Sequence, residues 1–352
     1  MQSKNSMADK NNLVVIKRII EETIKLFELN LSEVTVLTEA ASSHFVVTPL
    51  IIALAGGKAL AIAKDSKYGK KDDIINNLLE LADMHGVKDR IKVIDTLDSP
   101  CIEKVDIVTN LGFVRPINDK LLSKMKRKPV VAAMCEAWEV RPEDIDFTYC
   151  WTNEIPIVGV NEESEIKNIF EYVGALILKL LFEAGLEVYG NRFIVVGEDK
   201  FSIKIEKVLK AIGAIPVVIK AEDTRLYRTS DELTDGIIVA DYTNEGYIVG
   251  DKGVIDAEWL QKHTPSAKVI HLAGGVDYQY LVNNNLFCYP QYDGYPRRMS
   301  KTFGYLGARP VIELHTAGLK AADTVLSALR QGITFHQLID KFNEHPLVQI
   351  VC

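Results

Sequence analysis

Short β-prone runs alternate with helical periodicity along almost the whole chain, and that alternation most restricts how it folds. Asn12 to Leu29 carries apolar residues at helical spacing, and Val34-Thr35-Val36-Leu37 follows as a strand. After the polar break from Glu39 to His44, Phe45 to Ala55 reads as a buried helix starting near Thr48-Pro49 and ended by Gly56-Gly57. Ala59 to Ala63 is the next strand, Lys71 to His85 the next helix, and Ile91 to Ile94, Ile107 to Thr109, Val130 to Met134 and Ile155 to Val160 are further strands. Apolar runs this short, bounded by turn residues and separated by helical segments, predict a mainly parallel sheet covered on both faces.

At 352 residues the chain exceeds one typical core and suits two domains. Glu162 to Gly185 reads as one long helix, acidic at its start and stopped by glycine. The strand–helix rhythm then resumes with strands at Phe193 to Val196, Ile215 to Ile219, Ile237 to Ala240 and Val269 to Leu272. Val311 to Leu314 is strand-like, and Gly318 to Arg330 and Gln337 to Asn343 read as closing helices. The expected fold class is α/β, with two doubly wound parallel-sheet domains, the second Rossmann-type, joined by a long helix. The boundaries are residues 1–165 for an N-terminal substrate-type domain, 166–187 for the interdomain helix, 188–310 for the Rossmann-type domain and 311–352 for C-terminal return helices.

A net charge of −7 argues against general nucleic-acid binding, and the run Lys124 to Lys128 reads as a solvated helix end. The longest apolar run, Ala175 to Phe182, is interrupted by Lys179 and too short to span a bilayer. The first dozen residues hold no apolar signal core. Cys101, Cys135, Cys150, Cys288 and Cys352 form no CxxC pair, so reduced thiols in a cytoplasm are the simplest account and no metal site is expected. The motifs H-E-x-x-H, G-x-x-x-x-G-K-[ST] and G-x-S-x-G are absent.

Pro116 to Leu122, Val130 to Ala133, Glu143 to Phe147 and Ile155 to Asn161, followed by a long helix and a Rossmann-type stretch, come in a telling order. That order resembles the substrate domain and its continuation in D-isomer-specific 2-hydroxyacid dehydrogenases, a scaffold shared with adenosylhomocysteinase. Val254 to Leu260 and Glu313-Leu314-His315-Thr316-Ala317-Gly318 are similar to later segments of that family. Ser43-His44-Phe45 and Gly56-Gly57 resemble, more weakly, an adenosylhomocysteinase segment. The resemblance implies an NAD or NADP cofactor, a homodimer, an interdomain cleft and a catalytic histidine at His315.

The motifs depart from the family's. A dinucleotide-binding G-x-G-x-x-G lets the backbone reach the pyrophosphate. Here the turn reads Gly197-Glu198-Asp199-Lys200-Phe201-Ser202, with a carboxylate in place of the second glycine. Lys200 would partly offset it, and Lys220, near the position of the ribose-binding acid, would suit a 2′-phosphate. Gly275 stands where the family has its substrate-binding arginine, and Glu136-Ala137-Trp138-Glu139-Val140-Arg141 replaces its glycine loop. Glu136 and Glu139 would repel a 2-hydroxy acid and suit a small polar, non-acidic ligand stacked on Trp138, unless Arg141 pairs with them.

His315 is expected either as general acid or base or as a helix-capping residue. Asn110, after the Ile107 to Thr109 strand, either lines the cleft or lies in a solvated loop; Asn161, where the chain crosses between domains, either bonds a ligand or braces the hinge; and His44 either lines the cleft or caps a helix. Gly197, Asp199, Lys200, Ser202 and Lys220 form the expected cofactor set; Tyr289 to Tyr305 is either a lid or a contact between protomers. The expectation is an NAD(P)-linked oxidoreductase-like protein. The alternatives are a diverged, non-redox binding or scaffold protein, or an enzyme for a nucleotide-like ligand.

Overall fold

A computed structural model describes residues 8–225, 234–264, 268–292 and 294–351. Cys352, and residue 293 within the Tyr289 to Tyr305 segment, lie outside them. The chain forms two compact units, one running to Phe170 and resuming at Gly307, the other Glu171–Leu306.

The first unit is built on strands β1 (Thr35–Glu39), β2 (Lys58–Ile62), β3 (Ile91–Ile94), β4 (Ile107–Thr109), β5 (Val130–Ala132) and β6 (Ile157–Val160). They are parallel, in the spatial order β6-β5-β4-β1-β2-β3, so the winding reverses between β1 and β4. A C-terminal strand, Val348–Ile350, pairs antiparallel with β6 through Val348 opposite Val160. β4, β5 and β6 are buried at every position and rich in valine and isoleucine, as strands covered on both faces must be. Val47–Leu54 is a helix whose first seven residues are all buried.

The strand expected at Val311 to Leu314 is instead part of one helix, Ala308–Arg330. Val311, Ile312, His315, Thr316, Leu319 and Ala322 are all buried, a three-to-four-residue spacing that carries the helical period straight through the β-branched pair. Glycine lets this helix approach β5: a Cβ on Gly318 would lie 2.5 Å from the Met134 sulfur. The helix expected over Glu162 to Gly185 is also shorter. It spans Tyr172–Glu183 after a 3₁₀ turn at Ile169–Glu171, because the Glu162 carbonyl accepts the Ile169 and Phe170 N–H groups across a loop.

The second unit carries β7 (Arg192–Val196), β8 (Ile215–Ile219), β9 (Gly236–Ala240), β10 (Tyr247–Val249), β11 (Lys268–Ala273), β12 (Gly275–Val276) and β13 (Cys288–Tyr289). Five of these form a parallel sheet in the order β13-β11-β9-β7-β8, which reverses between β7 and β9; β10 and β12 pair separately. The helix Lys200–Ala211 leaves β7 and packs on β8. Both units are thus doubly wound α/β layers. Among the described residues no helix is long and apolar enough to cross a membrane, and no group of three or more His, Cys, Asp or Glu is placed to hold a metal ion.

Candidate functional site

Open α/β sheets bind ligands beyond the carboxyl ends of their strands, where the winding reverses. Each unit has one such place.

In the second unit it lies beyond β7 and β9. Gly197 ends β7 with φ +154°, and a Cβ there would meet the Ala240 carbonyl oxygen at 2.2 Å, so only glycine lets these strand ends close up. Asp199 then caps the helix Lys200–Ala211. Its Oδ1 accepts the Phe201 N–H at 2.9 Å, and its Oδ2 accepts the Tyr242 N–H, 43 residues on, at 2.6 Å. The buried Ser202 hydroxyl donates to the Asp199 carbonyl, and the Phe201 and Tyr242 rings stack at 5.5 Å. Burial raises the Asp199 pKa, with the Asp241 carboxylate adding to the rise. Lys220 is tied to Glu198 at 2.6 Å across the ends of β7 and β8.

These residues do not fit a dinucleotide held in the usual way. Its diphosphate needs the N–H groups at the helix start, and here the protein's own carboxylate takes one and reaches across to β9. The Asp199 carboxylate would also face the incoming charge, repelling it by about 1 kcal/mol or more. Lys220, considered for a 2′-phosphate, is already paired.

In the first unit the reversal lies between β1 and β4, stitched by Thr109 donating to the Thr38 hydroxyl at 3.0 Å. Glu39 ends β1 and is only 6% exposed. Its Oε2 accepts the Phe113 N–H at 2.9 Å. Burial pushes its pKa up, against the pull of that N–H and of the Arg115 and Lys64 charges. Arg115 pairs with Asp144 at 2.6 Å. Asn110, ending β4, accepts the Met134 N–H at 2.9 Å through Oδ1 and directs Nδ2 to the Cys135 sulfur at 3.9 Å. Cys135 follows β5; burial, with Glu139 and Glu162 nearby, raises its thiol pKa, so it stays protonated. Reasoning from sequence missed Glu39; its one visible signal was a carboxylate closing an otherwise apolar and threonine-rich strand.

Glu136, Trp138, Glu139 and Arg141 follow β5 as expected, but Glu136 is buried and accepts the Trp138 indole N–H at 2.7 Å. Trp138 keeps 41% of its surface exposed. Asn161 braces the chain's return: its Nδ2 donates to the Pro346 carbonyl and its Oδ1 accepts the Glu163 N–H. His44 lies in the 3₁₀ turn Ser43–Val46 that leads into the Val47–Leu54 helix.

His315 is not at a helix start and does not follow a strand in the chain. It sits in the middle of the Ala308–Arg330 helix, 3% exposed, with Nδ1 2.6 Å from the Thr48 hydroxyl, and burial pushes its pKa down to about 4. The Tyr289 to Tyr305 segment is anchored within its own unit, both tyrosine hydroxyls donating to Glu183 at 2.7 Å. The geometry therefore gathers Glu39, Asn110 and Cys135 at one reversal and Gly197, Asp199, Ser202 and Lys220 at the other.

No protein-family model matches the chain, and no curated protein does. Solved structures do. A dipicolinate synthase structure from Bacillus halodurans superposes with a TM-score of 0.51 at 13% identity, over 85% of this chain and 99% of that one. Dipicolinate synthase from Bacillus subtilis gives 0.50 at 11%, over 86% and 98%. The chain has their fold. A weaker likeness, with a TM-score of 0.44 at 9% identity over 90% and 98%, is to NAD-dependent formate dehydrogenase from Staphylococcus aureus in complex with NAD. The two-unit Rossmann-type architecture read from the order of elements is met in the fold, and at these identities the fold is what the likeness carries.

Proposed function

We propose that the protein binds a small polar, non-acidic metabolite at the carboxyl ends of β1, β4 and β5, without a dinucleotide held at the Gly197 turn. The observation that carries this reading is Asp199, whose carboxylate takes up the Phe201 and Tyr242 N–H groups where a diphosphate would dock. Support for the ligand site comes from Glu39, a buried carboxyl with a raised pKa at the first unit's reversal, flanked by Asn110. A carboxyl whose pKa is raised by burial exchanges a proton, or a hydrogen bond, with a ligand oxygen or nitrogen more readily than an exposed one. The low pKa of His315 and its bond to Thr48 support a packing role for that histidine.

The test is native mass spectrometry of freshly purified protein, with Glu39→Gln beside it. The reading expects a small retained mass, lost or weakened in Glu39→Gln; a retained NAD or NADP mass contradicts it. The same spectra count chains and so test the expected homodimer.

A second reading, an NAD(P)-linked oxidoreductase, is favoured by the glycine conformation kept at Gly197 and by the shared fold. It expects NADH or NADPH fluorescence to change on adding protein.

A further inference from the structure

A groove of about 980 Å³ opens at the other edge of the first unit's sheet, at the amino ends of its strands. On its floor Asp106, 3% exposed, accepts the Thr35 N–H through Oδ2 at 2.9 Å. Its Oδ1 takes both Arg127 at 2.9 Å and Arg330, from the last turn of the long helix, at 3.0 Å. One guanidinium is enough to balance a buried carboxylate. The second brings donors that Asp106 does not use, and the shared oxygen fixes the two side by side. Each guanidinium carries five N–H donors, and each engages Asp106 through one nitrogen.

The neighbouring charges largely cancel: Lys128 pairs with Glu154 at 2.7 Å, and His336 stands 3.8 Å from the same carboxylate. Leu329, Ile333 and Phe335 give the groove an apolar wall. We propose that this groove binds a small monocarboxylate with an apolar body, its carboxylate on the Arg127–Arg330 pair and its chain against that wall. Arg127, Lys128 and Arg330 are matched in number by Glu33, Asp106 and Glu154, so a carboxylate is held here by the hydrogen bonds of two adjacent guanidiniums and not by a net positive field. A phosphate dianion would bring more charge than the pair offsets, with Glu33 also lining the groove. The site is independent of the strand-end reading above.

Calorimetric titration with hexanoate, hexanamide and inorganic phosphate tests it. Saturable hexanoate binding is expected, with hexanamide and phosphate each about tenfold weaker or more. Arg330→Gln should weaken hexanoate by about tenfold while Arg127 still balances Asp106; an unchanged melting temperature would show that the fold is kept. Arg127→Gln is the reciprocal variant and should do the same. The proposal is overturned by no saturable hexanoate binding to the wild-type protein, by equal binding of hexanamide, by preference for phosphate, or by wild-type affinity in both variants.

Discussion

Gly197 has a backbone conformation that only glycine takes easily, and its missing side chain is the space into which the Ala240 carbonyl packs. Gly197→Ala should therefore cost at least about 3 kcal/mol, from the strained φ plus the clash, read as a lower urea midpoint. His315 and His271 are both buried with pKa pushed down to about 4, so each stays neutral in the fold while the unfolded chain protonates near pH 6.5. Their folded pKa lies below the unfolded one, so the stability they hold is complete above pH 6.5 and is lost as pH falls toward 4. The loss approaches roughly 3 kcal/mol for each histidine at the acid limit. Urea midpoints should thus fall between about pH 7 and pH 4.5, and less steeply in His315→Gln. Glu39 has the opposite sense: its raised pKa makes the ionised form a burden above that pKa. Glu39→Gln, which keeps an acceptor for Phe113, should be more stable than wild type at about pH 8 yet bind the ligand more weakly.

Among the elements, the helix Lys200–Ala211 shows what the sequence could and could not disclose. Loss of the second glycine was legible from Gly197-Glu198-Asp199, and Asp199 is an ordinary capping residue type. Its second bond was not legible, because Tyr242 is brought beside it only when β9 pairs with β7. Asp199→Ala should cost about 2 kcal/mol, the cap and the Tyr242 bond together, against about 1 for a cap alone; urea unfolding reads the difference. The strands were legible because short apolar runs between helical segments admit little else. The Ala308–Arg330 helix was misread at Val311-Ile312 because two β-branched residues favour a strand until the spacing to His315, Thr316 and Leu319 is counted through. That misreading placed His315 between a strand and a helix start, whereas it lies within the helix. Glu39 was overlooked because its burial comes from its place beside β4, and sheet order is not written in any local pattern.

At the scale of the molecule, two sheets wound the same way carry different chemistry at their reversals. The second unit's reversal is closed by its own backbone and by Asp199; the first unit's holds a buried carboxyl with a raised pKa, an asparagine and a protonated thiol. On the scaffold shared with the dipicolinate synthase structures, the turn after Gly197 bonds to the protein's own N–H groups through Asp199. NADH fluorescence titration of the wild-type protein, with Asp199→Gly alongside, tests this most directly. Expected are a wild-type Kd weaker than about 1 mM and tighter binding in Asp199→Gly, since the variant frees the Phe201 N–H at the helix start and removes one repelling charge. A wild-type Kd of about 10 μM or tighter, unchanged or weakened in Asp199→Gly, would contradict it.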